Sequence, residues 1–227
     1  MSRAFVIGNG QSRLQFDLVR LRGKGTIYGC NALYRDFIPD VLVATDDVIR
    51  EEIELTDINP EYLKNIPAII PFYTRRPGKE IKCHSDRKWQ TKDHINRSSR
   101  RIEEACWGYS SGSVALWYAC QPGGGTENPD INHMYVYFVG VDLMGVGASD
   151  NDINNVYAGT NAYKPKTAGA IYYMNWVEQI RKIMLEFDKI NFARVAPLNN
   201  FTPDQWNQVS NYREIDFEQF EKEINNV

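Results

Sequence analysis

The chain has 227 residues, of which 43% are hydrophobic and 12% aromatic, and it carries a formal net charge of −3. This length fits one domain, with or without an inserted subdomain, that has enough apolar residues for a substantial core. The slightly acidic balance excludes a generally basic nucleic-acid coat protein but leaves room for a local basic patch.

Cysteine usage and the lengths of the apolar runs predict a cytoplasmic protein. The four cysteines form no CxxC pair, and a chain of this length needs no disulfides, so we expect reduced thiols. A polar glycine turn interrupts the first apolar run too early for a signal peptide. Every apolar run is shorter than the ~20 residues of a membrane-spanning helix.

The first part of the chain alternates between short apolar runs and segments of helical character. The apolar runs predict buried strands at 4–7, 26–30 and 41–44. Between the first two strands, a helix is predicted from three leucines at helical spacing, Leu14, Leu18 and Leu21. A short helical turn at 32–37 precedes the third strand. This β-α-β-α-β succession is typical of an α/β protein with a doubly wound, mostly parallel (Rossmann-like) sheet.

The remainder of the chain continues this pattern around a basic insert. Residues 73–101 hold ten Lys or Arg against three Asp or Glu, so we interpret about 73–106 as a basic inserted lid. The other predicted elements are, in order, a helix at 48–55, a strand at 68–70, a helix at 110–120, a flexible glycine connector at 123–125, a strand at 134–141, a helix at 171–189 and a strand at 192–196. We therefore predict a single nucleotide-binding domain over 1–200 and an acidic, partly helical tail over 201–227.

The turn after the first strand is the sharpest functional signal. Gly8, Asn9, Gly10 and Ser12 lie where a glycine turn lets the backbone approach a phosphate and where the N–H groups of the next helix face the anion. The full G-x-G-x-x-G pattern is not met, because position 13 is Arg. We interpret the turn as nucleotide-binding; the alternative is an ordinary tight turn.

Polar residues also follow the second and third strands. Asn31 ends the second strand and offers one donor and one acceptor to a ribose or a base. Asp46 and Asp47 end the third strand and could bind a ribose, hold a metal or act as a general base. Because parallel strands present their carboxyl ends to one crevice, these residues are candidate ligand contacts. The alternatives are a turn former for Asn31 and helix capping for the aspartates.

Further candidates lie in the second half of the chain. Ser110, Ser111 and Gly112 precede a helix whose amino end would attract an anion, although plain capping by serine is common. Asp142 follows the strongest strand and shares the crevice geometry. In the loop beyond it, hydroxyl groups that could stabilise a phosphate leaving group are candidates, with ordinary surface side chains as the alternative: Tyr157, Thr160 and Tyr163.

The basic insert supplies the remaining candidates. We expect its arginine pairs to contact an anionic acceptor or to close over nucleotide phosphates, with a solvated surface as the alternative: Arg75, Arg76, Arg100 and Arg101. His94, in the same stretch, is a candidate general base, with a solvated surface residue as the alternative. The D-x-D spacing at Asp150 and Asp152 lies in a run of Asn and Asp that favours a polar turn, so no metal ligands are assigned.

Several of these motifs together resemble a known family. The chain resembles bacterial sialyltransferases that use CMP-sialic acid, and it is similar to hydroxymethylpterin pyrophosphokinase-like proteins (domain of unknown function 115) and to phage proteins. The motifs that carry the resemblance occur in order at 6–12, 30–31, 39–40, 46, 110–112, 139–142 and 196–199. By the sialyltransferase resemblance, the nucleotide would be held by Asn9, Gly10, Asn31, Ser111 and Gly112, with Tyr157 and Tyr163 near its phosphate and no metal required.

The resemblance has one departure, at the family's catalytic histidine. Residues 157–170 contain no histidine, and Lys164, Lys166 and Thr167 occupy the region instead. Either another residue serves as the general base, with Asp46, Asp47 and His94 as candidates, or the chemistry differs from that of the sialyltransferases.

Three functions are therefore considered. The leading hypothesis is a metal-independent glycosyltransferase that takes a CMP- or UDP-type nucleotide-sugar and transfers the sugar to an acceptor hydroxyl, with modified phage DNA as a hypothetical acceptor for the basic insert. The first alternative is a magnesium-dependent pyrophosphokinase that uses Asp46, Asp47 and Asp142. The second alternative is a nucleotide-binding module without catalytic activity.

Overall fold

The structure is a computed structural model that describes residues 2–46, 48–49, 52, 68–69, 108–125, 130–144, 152–169, 173–197 and 201–226. Seven strands form one sheet in the order β4-β3-β2-β1-β5-β6-β7, and every neighbouring pair is parallel. The strands are β1 (Arg3–Ile7), β2 (Thr26–Cys30), β3 (Val41–Val43), β4 (Ala68–Ile69), β5 (Tyr135–Val139), β6 (Asn191–Val195) and β7 (Tyr212–Ile215). The predicted doubly wound α/β fold is confirmed; the basic insert at 73–106 lies outside the described residues.

Four α-helices lie entirely within the described part of the chain: α1 (Ser111–Cys120), α2 (Met174–Glu186), α3 (Asp204–Asn207) and α4 (Phe217–Asn225); residues 48–49 and 52 are also helical. Within these described ranges, no helix combines the length and apolarity that crossing a membrane requires. Of the cysteines, the structure describes Cys30 and Cys120, and both are buried and free.

Successive side chains of a strand point to opposite faces of the sheet, and in the central strands both sets are buried. Ala4 and Val6 of β1 pack into a core that includes α1 and α2. Phe5 and Ile7 of the same strand pack on the other face, against Phe220 of α4 and the segment after β1. This two-sided burial explains why the central strands are near-continuous apolar runs.

The predicted single helix after β1 is wrong. Two 3-10 helices, Gln11–Gln15 and Leu18–Leu21, replace it. Phe16 breaks the helix because it adopts an extended conformation that places its ring 5.1 Å from that of Phe220. Asp17 then starts the second turn by accepting a hydrogen bond from Val19 N at 3.0 Å.

Two more predictions differ from the structure in detail. The glycine connector forms a 3-10 turn, Pro122–Gly125, in which Gly123 and Gly124 are buried and Gly123 N donates to Ile131 O at 2.8 Å. The predicted helical tail contains α3 and α4, but it also contains β7, which pairs with β6. Residues 201–226 therefore complete one edge of the sheet.

His133 anchors the amino-terminal side of the sheet. Its Nδ1 lies 2.9 Å from Ser2 Oγ, and its Nε2 lies 3.2 Å from the Tyr28 hydroxyl, which in turn donates to Gly124 O at 2.6 Å. The ring is 2% exposed, and burial lowers the pKa of His133 to about 4. The imidazole is therefore neutral in the folded protein at pH values where an exposed histidine takes up a proton.

We predict that His133 makes the folded state less stable in mild acid. An unfolded histidine takes up its proton near pH 6.5, so this stability contribution is complete above that pH and is lost as the pH falls toward 4. Between pH 7.5 and pH 5, the free energy of unfolding of the wild type should fall by about 2 kcal/mol more than that of His133→Gln. Urea unfolding at both pH values measures this difference, and equal losses in the two proteins would contradict the prediction.

Candidate functional site

The predicted site residues converge on the carboxyl edge of the sheet. Strands β2, β3 and β4 lie on one side of β1, whereas β5 lies on the other, so the order of connection reverses between β1 and β5. Open α/β sheets bind ligands outside the carboxyl ends of their strands at such a point. A ligand site is therefore expected at the loops that follow these two strands.

The turn after β1 packs directly against the loop after β5. Gly8 N donates to Val139 O at 2.7 Å, and Gly10 N donates to Gly140 O at 2.8 Å. A Cβ atom on Gly10 would lie 2.5 Å from the carboxylate of Asp142. Glycine at this position accordingly permits a close approach between two parts of the protein, as well as any approach to a ligand.

Asp142 occupies the place where the turn was expected to hold an anion. Its Oδ2 accepts from Ser12 N at 2.9 Å, and its Oδ1 accepts a short hydrogen bond from the Ser12 hydroxyl. Gln11 N donates instead to Asn154 Oδ1 at 2.8 Å. The carboxylate of Asp142 is buried, and the N–H groups of Gly10, Gln11 and Ser12 are already paired within the protein.

Four side chains form a hydrogen-bonded cluster at the ends of β2, β3 and α1. Asn31 donates from Nδ2 to Asp46 Oδ2 at 2.9 Å and accepts at Oδ1 from Ser111 Oγ at 2.7 Å. Thr45 completes this polar cluster, with its Oγ1 2.6 Å from Ser111 Oγ and its N–H donating to the same atom at 3.1 Å. Asn31 has a φ of 50°, a left-handed conformation that asparagine tolerates better than most residues. The structure thus brings together three predicted site residues, Asn31, Asp46 and Ser111.

The amino end of α1 lies beside the polar cluster. Ser110 caps the helix, since its hydroxyl accepts from Ser113 N at 3.3 Å, as the capping alternative proposed. At Gly112, by contrast, an added Cβ would meet nothing within 4 Å among the described residues. As far as the described residues show, the first turn of this ten-residue helix is open on the Gly112 side, and the helix dipole favours an anion there.

Residues 152–169 form a strap over the carboxyl ends of β1 and β2. Val156 N donates to Asn9 O at 2.8 Å, which joins the strap to the first turn. The Tyr157 hydroxyl donates to Asp36 Oδ1 and accepts from Arg13 Nη2 at 2.8 Å. Burial and the hydrogen bond to Asp36 raise the pKa of Tyr157 well above its usual value, so its hydroxyl serves here as a structural anchor.

A second anchor of the strap involves Arg35. Its Nη2 lies 2.5 Å from Glu52 Oε2, and its Nη1 donates to Thr160 Oγ1 at 2.7 Å. Burial opposes the ionisation of Glu52, but hydrogen bonds from Arg35 and Tyr34 outweigh it and lower the pKa of this carboxyl. The Thr160 hydroxyl is therefore engaged in holding the strap.

Tyr163 is the strap residue that reaches the polar ends of the strands. Its hydroxyl accepts from Asn9 Nδ2 at 3.4 Å and from Ala32 N at 3.3 Å. Its ring lies 5.6 Å from that of Tyr157 and 5.6 Å from the guanidinium of Arg35. Tyr163 therefore contacts a predicted nucleotide-binding residue, Asn9, directly, whereas Tyr157 contacts Arg13, the neighbour of Ser12.

Several predicted site residues lie outside the described residues, namely Asp47, Arg75, Arg76, His94, Arg100 and Arg101. Conversely, the sequence analysis did not identify Thr45 or the two arginines that hold the strap, Arg13 and Arg35. A clue for Arg35 was its place at the end of the short helical segment that follows the second strand, in the run Tyr-Arg-Asp. In the part of the chain that the structure describes, no three His, Cys, Asp or Glu side chains come together as a metal site would require.

The fold and this edge define the class: a doubly wound, parallel α/β protein with a polar cluster at the carboxyl ends of its strands. A comparison with known protein families, curated proteins and solved structures finds no match to the chain.

We predict that Asp142 stabilises the fold, unlike Asp46. Asp142→Ala leaves the buried N–H and hydroxyl of Ser12 without their acceptor, which should lower the free energy of unfolding by about 2–4 kcal/mol. Asp46→Asn, at an exposed position, should cost less than about 1 kcal/mol. Urea unfolding measures both values, and similar losses for the two variants would contradict this division.

Proposed function

We propose that the chain is a glycosyltransferase that binds a nucleotide-activated sugar at the carboxyl edge of β1, β2 and β3. The observation that carries this proposal is the polar cluster, in which two strand ends and the amino end of α1 are joined by Asn31, Asp46 and Ser111. Doubly wound sheets bind nucleotides on this side of the sheet, outside the carboxyl ends of their strands. The motif resemblance to sialyltransferases favours the same class.

The amino end of α1 provides the phosphate position. Among the described residues, nothing lies within 4 Å of a Cβ placed on Gly112, which favours the approach of an anion to the first turn. The turn after β1 is the weaker candidate for phosphate, because Asp142 already accepts from Ser12 there. A developing charge on the leaving phosphate would be stabilised by the dipole of α1.

Asp46 is the proposed general base. It is exposed, and Asn31 fixes one of its oxygens while the other makes no hydrogen bond to a described residue. An oriented carboxylate beside a bound donor can take the proton of an acceptor hydroxyl as the sugar is transferred. Asp47 and His94, the other candidates from the sequence, lie outside the described residues.

The magnesium-dependent pyrophosphokinase is less favoured by the geometry. Its expected ligand set includes Asp142, whose two oxygens both accept hydrogen bonds from Ser12. These bonds and the burial of Asp142 leave less of its coordinating capacity for a metal than Asp46 has. A binding module without catalysis differs from both enzymes in that it would show nucleotide affinity without turnover.

We predict that Asp46→Asn separates chemistry from binding. Loss of a general base should lower the transfer rate by about 10²–10⁴-fold. The affinity for the nucleotide product should change by less than about threefold, because the amide keeps the size of the carboxylate and little of the binding is assigned to its charge. Candidate donors are first identified by a thermal-shift screen of CMP, UDP, GDP, ATP and nucleotide-sugars. Donor turnover is then followed by nucleotide release.

The control for this experiment is Asp204→Asn, which changes an exposed carboxylate at α3, away from the polar cluster. Full activity of Asp46→Asn would refute the assignment of the base. Loss of wild-type activity in EDTA would instead favour the magnesium-dependent alternative, whereas the absence of any nucleotide ligand would refute the proposed function.

We also propose DNA as the acceptor, on the basis of the Lys- and Arg-rich sequence at 73–101. DNA binding through this insert should weaken as salt rises, because each phosphate contact releases counterions. Replacement of Arg100 and Arg101 by Ala should reduce the slope of log affinity against log salt by about 2. Fluorescence anisotropy at several salt concentrations measures the slope, and a wild type that shows no salt-dependent binding would refute the DNA acceptor.

A further inference from the structure

The side chain of Asn9 has an unsatisfied carbonyl oxygen at the polar end of β1. Asn9 Oδ1 is buried and has no hydrogen-bond partner among the described residues. A buried acceptor without a donor is unfavourable by about 1–3 kcal/mol, so such atoms call for a specific explanation. We propose that Asn9 and the N–H of Ala32 recognise the edge of a nucleobase, in a place that the Tyr163 hydroxyl occupies in the structure. This inference rests on the proposed function and names the part of the nucleotide that β1 and β2 recognise.

The orientation of the Asn9 amide follows from its neighbours. Asn9 Nδ2 lies 3.3 Å from Cys30 O, which can only accept a hydrogen bond. Exchange of the amide nitrogen and oxygen would place two acceptors against each other. The nitrogen must therefore face Cys30, and the oxygen is the atom that is left for a ligand donor.

The place that the Tyr163 hydroxyl occupies, between Asn9 and the N–H of Ala32, is called the niche; it has a defined pattern of donors and acceptors. Asn9 Oδ1 requires a donor, while the N–H of Ala32 and the Asn9 amide nitrogen require an acceptor. A phosphate group at neutral pH offers acceptors alone and would face Asn9 Oδ1 unfavourably. The Watson–Crick edge of a nucleobase carries an N–H group next to an acceptor, and asparagine pairs with base edges in this bidentate way.

The Tyr163 hydroxyl meets this pattern only in part. It accepts from Asn9 Nδ2 and Ala32 N at 3.4 and 3.3 Å, and it leaves Asn9 Oδ1 unpaired. The strap is held more tightly elsewhere, by hydrogen bonds of 2.7–2.8 Å from Arg35 and Val156. A ligand can thus displace the Tyr163 hydroxyl without breaking the shorter bonds that hold the strap.

In this arrangement, the base and the phosphate of the nucleotide would bind at two different places on the carboxyl edge of the sheet. The turn after β1 contributes the Asn9 side chain rather than its backbone N–H groups, since Gly10, Gln11 and Ser12 donate within the protein. The amino end of α1, which no described residue covers at Gly112, would take the phosphate. Asn31 joins the two parts, because it follows Cys30 directly and accepts from Ser111.

Binding of nucleoside monophosphates and of ribose 5-phosphate, which lacks a base, tests this inference. CMP, UMP, AMP and GMP are titrated by calorimetry, and ribose 5-phosphate is added as a competitor. Wild-type protein should prefer its best nucleotide over ribose 5-phosphate. In Asn9→Ala the affinity for that nucleotide should fall about tenfold, whereas the affinity for ribose 5-phosphate should remain within about twofold. The matched control, Gln11→Ala, removes an exposed amide from the same turn and should bind as the wild type does.

A second variant keeps the test decisive if Asn9→Ala fails to fold. Tyr163→Phe retains the ring that packs on Tyr157 but removes the oxygen that occupies the niche, so nucleotide affinity should be equal to or higher than that of the wild type. A loss of more than about threefold would mean that the hydroxyl itself binds the ligand, which would overturn the inference.

The outcomes also separate this inference from the proposed function. Equal losses for nucleotide and ribose 5-phosphate in Asn9→Ala, or no preference for the nucleotide in the wild type, would overturn base recognition while leaving nucleotide binding intact. No binding of any nucleotide by the wild type would overturn the proposed function and, with it, the inference.

Discussion

The contact between the loops that follow β1 and β5 determines the shape of the whole carboxyl edge. Asp142 bonds both the N–H and the hydroxyl of Ser12, and Gly8 and Gly10 let the two backbones touch. Because β1 and β5 flank the point at which the strand order reverses, this contact fills the crevice where a doubly wound sheet commonly takes a phosphate. The open polar positions are consequently displaced sideways, toward the ends of β2 and β3 and the amino end of α1.

Local patterns were sufficient for most of the sheet. Six strands follow from apolar runs, but β7 reads Tyr-Arg-Glu-Ile, and its two exposed central residues conceal a strand that lies at an edge. At the site, Asn31, Asp46 and Ser111 could be found because parallel strands present their carboxyl ends on one side. The pairing of Ser12 with Asp142 could not, since it joins residues 130 positions apart and depends on which strands are neighbours. The contacts of the strap could not be predicted for the same reason, since Arg35 and Thr160 are 125 residues apart.

Asp46 and Asp142 show how similar residues at similar strand ends acquire different physical roles. Asp142 is buried, and both of its oxygens accept hydrogen bonds from Ser12, so this carboxylate stabilises the turn after β1. Asp46 is exposed, and Asn31 holds only one of its oxygens. Similarly, the strap tyrosines differ: Tyr157 is fixed by Asp36 and Arg13, whereas Tyr163 makes longer contacts. In both pairs, the side chain with spare hydrogen-bonding capacity is the one that lies at the candidate site.

The late position of β7 in the chain affects how the protein is made on the ribosome. Until residues 212–225 have been synthesised, the outer edge of β6 has no neighbouring strand. The apolar side chains that pack against Phe220 of α4, including Phe5 and Phe16, are also uncovered until then. Nascent chains that stall or are released before this point would present an unpaired strand beside apolar surface, the combination that promotes aggregation. The segment that resembles a dispensable tail thus decides whether the finished sheet is protected from self-association.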